Sequence, residues 1–230
     1  ACIRAVTLDL DLDDTIWPFA PVAAQIDEAL KGWLADHAPR TAARYDDAAV
    51  QEAVAAVRAK RDDLAHDMGA IRRAVMRRLL AAAGEDPDLA EPAFAVVYEA
   101  RQRVELYPEA ADALDRLAAR VPLLAVTNGN ADLARTGVER WFTGCVAAGD
   151  LGVGKPHPRV FAAACEHLGL PAAEVLHAGD DLHTDVGGAL AAGMRAVWVR
   201  RELPGAAPDG VLVVGDLTAL ADLVDGLATS

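Results

Sequence analysis

Residues 3–15 read IRAVTLDLDLDDT. The first eight of them are mainly apolar and predict a short buried strand, which ends in a cluster of carboxylates. Because a strand of this kind usually belongs to a sheet that helices cover, the stretch favours an α/β fold if similar strands follow.

Short apolar segments of the same kind recur in the chain after Pro108. Short apolar strands alternate there with helices, which predicts a parallel sheet with helices on both faces. The predicted strands are residues 122–126, 145–147, 175–178, 196–199 and 211–213. The predicted helices are residues 109–119, 131–141, 158–168 and 182–192 and a C-terminal helix.

The stretch between these parts has a different composition. It is rich in Ala, Arg and acidic residues, and its apolar residues recur at spacings of three and four, which predicts about four amphipathic helices. Breaks between them are expected at Pro39, at Gly69 and at residues 84–87. We therefore predict an α/β core of residues 1–16 and 105–230, with an all-α helical-bundle cap of residues 17–104 inserted after the first strand.

Composition and charge limit the partners. The 230 residues carry 35 acidic and 22 basic side chains, a formal charge of −13, which argues against a nucleic-acid partner. No run approaches the roughly 18 apolar residues of a membrane helix, and no secretory leader is evident. Cys2, Cys145 and Cys165 show no metal-ligand spacing and fit a reducing compartment. The expectation is a cytoplasmic monomer or homodimer that acts on a small molecule and binds neither nucleic acid nor membrane.

Four predicted strands end at residues that can carry chemistry. In open α/β sheets, ligands bind beyond the carboxyl ends of the strands, so these positions define the candidate site. The four blocks are Asp11–Thr15, Thr127–Asn130, Gly154–Pro156 and Gly179–Asp181 with Asp185.

The residue types in these blocks suit phosphoryl transfer. Asp11 and Asp13 are two apart at a strand end and project to the same side, so both can face one phosphate. A carboxylate can accept a phosphoryl group, but it repels the phosphate, and Mg²⁺ bound by Asp11 and Asp180 would cancel that repulsion. Lys155 and Thr127 can bind the phosphoryl oxygens as charge spreads over them in the transition state.

In order and context, the four blocks resemble the four motifs of the haloacid dehalogenase-like hydrolase superfamily. The resemblance covers nearly the whole chain, including the helical insertion. It implies a Rossmann-like core, Mg²⁺ as cofactor and an aspartyl-phosphate intermediate. It further implies that Asp11 is the nucleophile, that Asp13 is the general acid and base, and that Thr127 and Lys155 hold the phosphoryl oxygens.

The resemblance also implies which residues bind the metal. Asp11, Asp180 and the carbonyl of Asp13 would be the ligands of Mg²⁺. Asp185 is expected to lie behind them, paired with Lys155 or with a metal-bound water. The other residues expected to support the site are Asn128 and Thr15.

One position departs from the family pattern. Asp9 stands two residues before the expected nucleophile, where that pattern has an uncharged residue, so Asp9 could itself be the nucleophile with Asp11 as the acid. We favour Asp11, because only this register puts Thr15 at the threonine position of the motif and keeps Thr15–Trp17 at the entry to the cap.

Three histidines lie near the later blocks and raise the question of zinc. They are His157, His177 and His183. Their spacing fits no chelating motif, so we expect local hydrogen bonds from each of them rather than a zinc site.

The cap is expected to close over the site and select the substrate. His66, Asp67 and Arg72 lie near the middle of the cap, where a loop could reach the organic group of a phosphate ester. Trp17 and Phe19 could stack on a ring, although packing in the core or at a hinge is the more ordinary role for Trp17.

The resemblance leaves several activities open. Hydrolysis of a phosphomonoester is favoured, because a dehalogenase would leave Asp13 and Asp180 unexplained, whereas a phosphomutase would share all four motifs. A module that binds a phosphometabolite without catalysis would not need both Asp11 and Asp13. Residues 125–131 and 176–189 resemble the subgroup that dephosphorylates FMN and ribityl-aminouracil phosphate, which suggests a substrate of that kind.

Overall fold

The computed structural model describes residues 7–60, 68–201 and 211–228. The chain divides into two compact units. One, here called the core unit, comprises Ala1–Pro18 and Glu105–Ser230, and the other, the helical unit, comprises Phe19–Val104.

The core unit contains a six-stranded sheet in the order β3-β2-β1-β4-β5-β6. Every neighbouring pair of strands is parallel, so the predicted α/β fold with a parallel sheet is confirmed. The strands are β1 Thr7–Leu10, β2 Leu123–Thr127, β3 Gly144–Ala147, β4 Val175–Gly179, β5 Arg195–Val199 and β6 Leu212–Val214.

The strand order places β1 between β2 and β4. Leu10 is the register partner of Ala125 on β2 and of Ala178 on β4, so the three strands end at one edge of the sheet. The backbone N–H of Asp11 continues the ladder by donating to the carbonyl of Ala178 at 2.9 Å. From β1 the strand order runs through β2 to β3 on one side of the sheet and through β4 and β5 to β6 on the other. In open α/β sheets, the point where the strand order changes direction is a crevice in which ligands bind.

The helical unit is built from amphipathic helices, as the apolar spacing predicts. Leu30 and Leu34 of the first helix are buried in one cluster with Leu80 and Val97. The helices are α1 Phe19–His37, α2 Pro39–Ala42, α3 Asp47–Arg58, α4 Met68–Ala82 and α5 Ala90–Arg101, with a 3-10 turn at Pro87–Leu89.

The predicted break at Gly69 is wrong in its position. Gly69 lies in the first turn of α4 and is buried. Residues 61–67, between α3 and α4, lie outside the described residues.

The helices of the core unit follow the prediction except at three places, one of which is a short helix at Ala148–Leu151 that the sequence pattern does not predict. The helix expected over residues 131–141 consists of a four-residue helix and a separate 3-10 turn at Glu139–Trp141, because Gly137 adopts a φ of +79° and ends the first of them. The helix expected over 182–192 begins with a π-helical turn at Leu182–Gly187. The helices are α6 Ala110–Ala118, α7 Leu133–Thr136, α8 Ala148–Leu151, α9 Pro158–Leu168, α10 Gly188–Ala191 and α11 Leu217–Ala228.

In the described part of the chain, no helix has both the length and the apolar character that crossing a membrane requires.

Candidate active site

A tight turn follows β1 and links the ends of two strands. Asp14 has a φ of +57°, a left-handed conformation that Asp tolerates better than most residues, and its N–H donates to the Trp17 carbonyl at 2.7 Å. The turn directs the Thr15 hydroxyl toward the end of β4, where it donates to Oδ1 of Asp180 at 3.4 Å. The ends of β1 and β4 are therefore joined through side chains as well as through the ladder.

The Lys155 ammonium lies at the centre of the site. It is buried and donates to Oδ1 of Asp11 at 2.6 Å, to Oδ1 of Asp185 at 2.7 Å and to the Val126 carbonyl at 2.8 Å. An ammonium has three N–H groups, so these three acceptors use its whole hydrogen-bonding capacity and fix its position.

The loop that carries Lys155 is held by the residue after β2. The Asn128 side chain accepts from the Lys155 N–H at 2.6 Å and donates to the Lys155 carbonyl at 3.0 Å. A Cβ at Gly154 would lie 2.8 Å from Oδ1 of Asn128, so the close approach requires glycine. Thr127 is buried at the end of β2, and its hydroxyl accepts from the Gly129 N–H at 2.9 Å, which leaves the hydroxyl hydrogen able to donate.

Three carboxylates converge beside the ammonium. One oxygen from each of Asp11, Asp180 and Asp185 lies within 4.8 Å of the other two. Oδ2 of Asp185 accepts from the Asp181 N–H at 3.0 Å, and a Cβ at Gly179 would collide with the Asp185 carboxylate. The end of β4 therefore has a glycine where Asp185 approaches the backbone.

The pKa values of the cluster reflect burial and crowding of negative charge. Burial raises the pKa of Asp11 to about 6, although Lys155 opposes the rise. Burial, with Asp11 and Asp185, raises the pKa of Asp180 to about 7. Burial alone would raise the pKa of Asp185, but Lys155 and His177 hold it below its usual range. Burial alone would lower the pKa of Lys155, but Asp11 and Asp185 raise it above its ordinary value.

This donor set fits Mg²⁺. Its ligand atoms are hard carboxylate oxygens, which Mg²⁺ prefers to nitrogen or sulfur. Burial, followed by the negative charges of Asp11 and Asp185, raises the pKa of Asp180, and a divalent ion would offset both effects.

Asp13 is oriented by an indole. The Trp17 ring N–H donates to Oδ1 of Asp13 at 2.7 Å, and the Trp17 side chain is fully buried. The structure thus gives Trp17 a contact to one of the four predicted catalytic residues.

Asp9 lies behind the site rather than in it. It is completely buried within β1, and its Oδ1 lies 2.8 Å from Nδ1 of His177. Nε2 of the same ring lies 3.4 Å from Oδ1 of Asp185. Burial alone would lower the pKa of His177, but the facing carboxylates raise it to about 9. The expectation of local hydrogen bonding is met at His177.

The residues predicted to contact the substrate are spread over both units. Arg72 lies within α4, not in a loop, and lines a cavity of about 280 Å³ inside the helical unit together with apolar side chains such as Ile71 and Phe94. Phe19 is the first residue of α1, and the Arg101 guanidinium lies 5.5 Å from its ring centroid. His66 and Asp67 lie outside the described residues.

Two residues of the site have no signal in the sequence. The Trp198 ring N–H donates to the Asp180 carbonyl at 2.7 Å, and Arg201 donates to the Thr15 carbonyl at 2.8 Å. The Arg201 guanidinium also lies 3.4 Å from the ring centroid of Tyr107. Both of these hydrogen bonds go to backbone carbonyls. Every residue has such a carbonyl, so no pattern of residue types in the sequence indicates the contacts.

Comparison with known proteins agrees with this geometry. A family model described as haloacid dehalogenase-like hydrolase matches residues 5–193. The 5-amino-6-(5-phospho-D-ribitylamino)uracil phosphatase YigB of Escherichia coli (strain K12) is 32% identical over 203 residues, covering 86% of this chain and 85% of the relative. The phosphoserine phosphatase of Thermus thermophilus is 35% identical over 237 residues, covering 90% of this chain and 94% of the relative.

Solved structures show the same fold. A 2-haloacid dehalogenase from Pseudomonas syringae pv. Tomato DC3000 matches with a TM-score of 0.90 and 32% identity over 96% of this chain and 99% of that one. A HAD-hydrolase, YfnB, from Bacillus subtilis, in a structure with bound magnesium, matches with a TM-score of 0.68 and 22% identity over 96% of this chain and 99% of that one. The predicted resemblance is confirmed: this chain is a hydrolase of the haloacid dehalogenase-like family.

Proposed function

We propose that the protein is a Mg²⁺-dependent hydrolase of small phosphomonoesters, with Asp11 as the nucleophile. The observation that carries the proposal is the position of Asp11 at the sheet edge, with the Lys155 ammonium at 2.6 Å and two further carboxylates within 4.8 Å. A nucleophilic carboxylate beside a fixed cation and a metal-ligand set is what transfer of a phosphoryl dianion requires. The two phosphatases that are similar to this chain over most of its length support the same reaction.

The metal would be held by groups from two strand ends. Asp11, Asp180 and the backbone carbonyl of Asp13 are the proposed ligands, and Asp185 belongs to the same carboxylate cluster. When bound, Mg²⁺ supplies positive charge that offsets the repulsion between the Asp11 carboxylate and the phosphate.

In the first step, a carboxylate oxygen of Asp11 forms a bond to phosphorus while the bond from phosphorus to the ester oxygen breaks. The leaving oxygen takes the proton of the Asp13 carboxylic acid, whose orientation is fixed by the Trp17 N–H at 2.7 Å. The positive charge of Lys155 and the hydroxyl hydrogen of Thr127 stabilise the charge on the phosphoryl oxygens.

In the second step, water attacks the phosphorus of the aspartyl-phosphate. Asp13, now a carboxylate, takes a proton from that water, and the bond between phosphorus and Asp11 breaks. Inorganic phosphate leaves, and both residues return to their starting states.

The choice of Asp11 over Asp9 as nucleophile is supported by burial and contacts. Asp9 is inside β1, is fully buried and faces His177, whereas Asp11 lies beyond the strand and faces Lys155. We expect Asp11→Asn to abolish turnover and Asp9→Asn to retain part of it. Loss of turnover only in the Asp9 variant would reverse the assignment.

A dehalogenase is the second candidate, and the TM-score of 0.90 to the Pseudomonas syringae enzyme favours it. In that reaction the nucleophilic carboxylate would displace halide from carbon, with no phosphoryl dianion to neutralise. Asp13 would then have no ester oxygen to protonate and Asp180 no metal to bind, so we favour the phosphatase. A phosphomutase would use the same first step but return the phosphoryl group to a sugar hydroxyl.

The substrate we propose is FMN or a ribityl-aminouracil phosphate. The similarity to the Escherichia coli ribityl-aminouracil phosphatase, over 86% of the chain, supports it, and phosphoserine is the competing choice because of the Thermus thermophilus relative. His66 and Arg72 stay proposed contacts to the organic group, whereas Trp17, which is fully buried and donates to Asp13, is proposed to act through Asp13. Arg72→Met should raise the KM for the true substrate more than the KM for p-nitrophenyl phosphate.

A substrate panel with and without Mg²⁺ tests the proposal. We expect hydrolysis of p-nitrophenyl phosphate and of FMN, loss of both in EDTA, and loss of both in Asp11→Asn. Asp150→Asn, an exposed change in α8, is the control that keeps activity. Release of chloride from 2-chloropropionate without any release of phosphate would favour the dehalogenase. An equal rate for FMN and simple sugar phosphates would exclude the flavin substrate.

A further inference from the structure

A buried acid–imidazole pair that the proposed mechanism does not use lies behind the site. Asp9 on β1 and His177 on β4 are register partners in the sheet, and their side chains meet at 2.8 Å with no exposure of either. A carboxylate at the centre of a sheet is unfavourable unless it is paired. Among the described residues, Oδ2 of Asp9 has no hydrogen-bond partner, so the pairing of this carboxylate is directed to His177.

The His177 ring connects Asp9 to the site. Its two nitrogens face carboxylate oxygens, Asp9 at 2.8 Å on Nδ1 and Asp185 at 3.4 Å on Nε2. A neutral imidazole has only one N–H, so donation to both carboxylates requires the imidazolium. The Phe161 ring packs edge-on against His177, with centroids 5.4 Å apart and planes at 85°, and so limits rotation of the imidazole.

Asp185 contacts both His177 and Lys155. Its Oδ1, which faces His177, also accepts from the Lys155 ammonium at 2.7 Å, and that ammonium lies 2.6 Å from Asp11. Five buried side chains therefore form a row in which negative and positive charges alternate. The row runs Asp9, His177, Asp185, Lys155, Asp11.

We propose that Asp9 and His177 are positioning residues that hold the Asp185 carboxylate against Lys155, and thereby hold the Lys155 ammonium beside the attacking carboxylate of Asp11. The inference rests on the proposed function. An amide at position 9 removes the negative charge that pairs with the imidazolium. A neutral imidazole has a single N–H for the two groups that it faces, so its charge-assisted hydrogen bond to Asp185 is lost whichever tautomer forms. Asp185 would turn away, and Lys155 would lose the contact that fixes it.

The test combines kinetics with a signal from Lys155 itself. The chain has three lysines, Lys31, Lys60 and Lys155, so protein labelled with ¹⁵N-lysine gives few ammonium signals. The Lys155 ammonium is buried and should exchange slowly with water, whereas Lys31 has 53% of its side chain exposed and should exchange fast. Lys155→Arg assigns the signal.

In Asp9→Asn, we expect kcat for p-nitrophenyl phosphate to fall about 10- to 100-fold, with KM changed far less, and the Lys155 ammonium signal to shift and exchange faster. His177→Gln should give the same two results, and it serves if Asp9→Asn does not fold. Trp141→Phe is the control, since it removes a hydrogen bond to Asp115 in the core unit and should lower the melting temperature without either result.

The outcomes separate this inference from the proposed function. A wild-type protein that hydrolyses no phosphate ester contradicts the proposed function, while the Lys155 signal is still readable without turnover. Unchanged kcat and an unchanged Lys155 signal in folded Asp9→Asn or His177→Gln would overturn the positioning role. A wild-type Lys155 ammonium that exchanges as fast as the other lysines would overturn it without any variant.

Discussion

Nζ of Lys155 lies 2.6 Å from Oδ1 of Asp11, with only 2% of the lysine side chain and 11% of the aspartate side chain exposed. The same nitrogen lies 2.7 Å from Oδ1 of Asp185. One buried cation is thus shared between a carboxylate at the reacting edge of the sheet and a carboxylate behind it. Removing that cation leaves two buried anions facing each other.

Lys155→Met should therefore reduce both activity and stability. We expect kcat for a phosphate ester to fall at least about 100-fold, and the free energy of unfolding at neutral pH to fall by about 3 kcal/mol. Urea unfolding and steady-state kinetics measure the two effects. Lys31→Met is the matched control, because Lys31 forms an exposed pair with Asp27 and its loss should leave both quantities almost unchanged. Equal effects of the two substitutions would contradict a special role for Lys155.

The metal-free protein should lose stability as the pH rises toward neutrality. The pKa of Asp180 is raised from 3.8 to about 7 in the folded chain, mainly by burial and then by Asp11 and Asp185. The folded state therefore binds this proton more tightly than the unfolded state, so the contribution is complete below pH 3.8 and is lost as the pH rises through about 7. Melting temperatures in EDTA, compared between about pH 5 and about pH 8, measure the slope.

Asp180→Asn should flatten that slope, whereas Asp150→Asn should not. Mg²⁺ should reverse the trend in the wild type, because deprotonated carboxylates bind the ion more tightly and binding to the folded state stabilises it. A metal-free slope that is the same in the wild type and in Asp180→Asn would show that Asp180 is not the titrating group.

Gly154→Ala should damage the site through Asn128. The added Cβ would lie 2.8 Å from Oδ1 of Asn128, and this amide holds the backbone of Lys155 through two hydrogen bonds. We expect kcat to fall about 10-fold or more, since a small misplacement of a catalytic group is costly. Gly149→Ala is the matched control, because a Cβ there meets nothing within 4 Å. The idea fails if the two alanine variants have the same kcat.

Trp17→Phe should weaken acid catalysis selectively. It removes the indole N–H that lies 2.7 Å from Oδ1 of Asp13 while keeping an aromatic ring in the buried position. Protonation of the leaving oxygen matters most when that oxygen is a poor leaving group. We therefore expect a larger loss of kcat with an alkyl phosphate than with p-nitrophenyl phosphate, and no such difference in Trp33→Phe, a change in α1. Equal losses with both esters would contradict the role of Trp17.

The strand ends could be predicted from the sequence because their chemistry is local. A run of apolar residues followed by charged residues can be recognised in the sequence as a buried strand and its end. The parallel sheet then brings Asp11, Thr127 and Asp180 to one edge. The short helix at Leu133–Thr136 was predicted too long, because apolar spacing does not reveal that Gly137 takes a positive φ.

Contacts that depend on tertiary structure could not be predicted in this way. Trp198 and Arg201 bind the carbonyls of Asp180 and Thr15, and a backbone carbonyl carries no sequence signature. The pairing of Asp9 with His177 depends on the register between β1 and β4, which only the folded sheet sets.

The place of β1 in the sheet also sets the timing of folding. Its register partners on β2 begin at Leu123 and those on β4 at Val175, whereas the helical unit, Phe19–Val104, is one continuous segment, and its described residues contribute no strand to the sheet. As the chain is synthesised, the helices have all their sequence long before β1 can acquire its second neighbour. Asp9, the aspartate within β1, therefore cannot be enclosed between two strands until β4, Val175–Gly179, has been synthesised and pairs with β1.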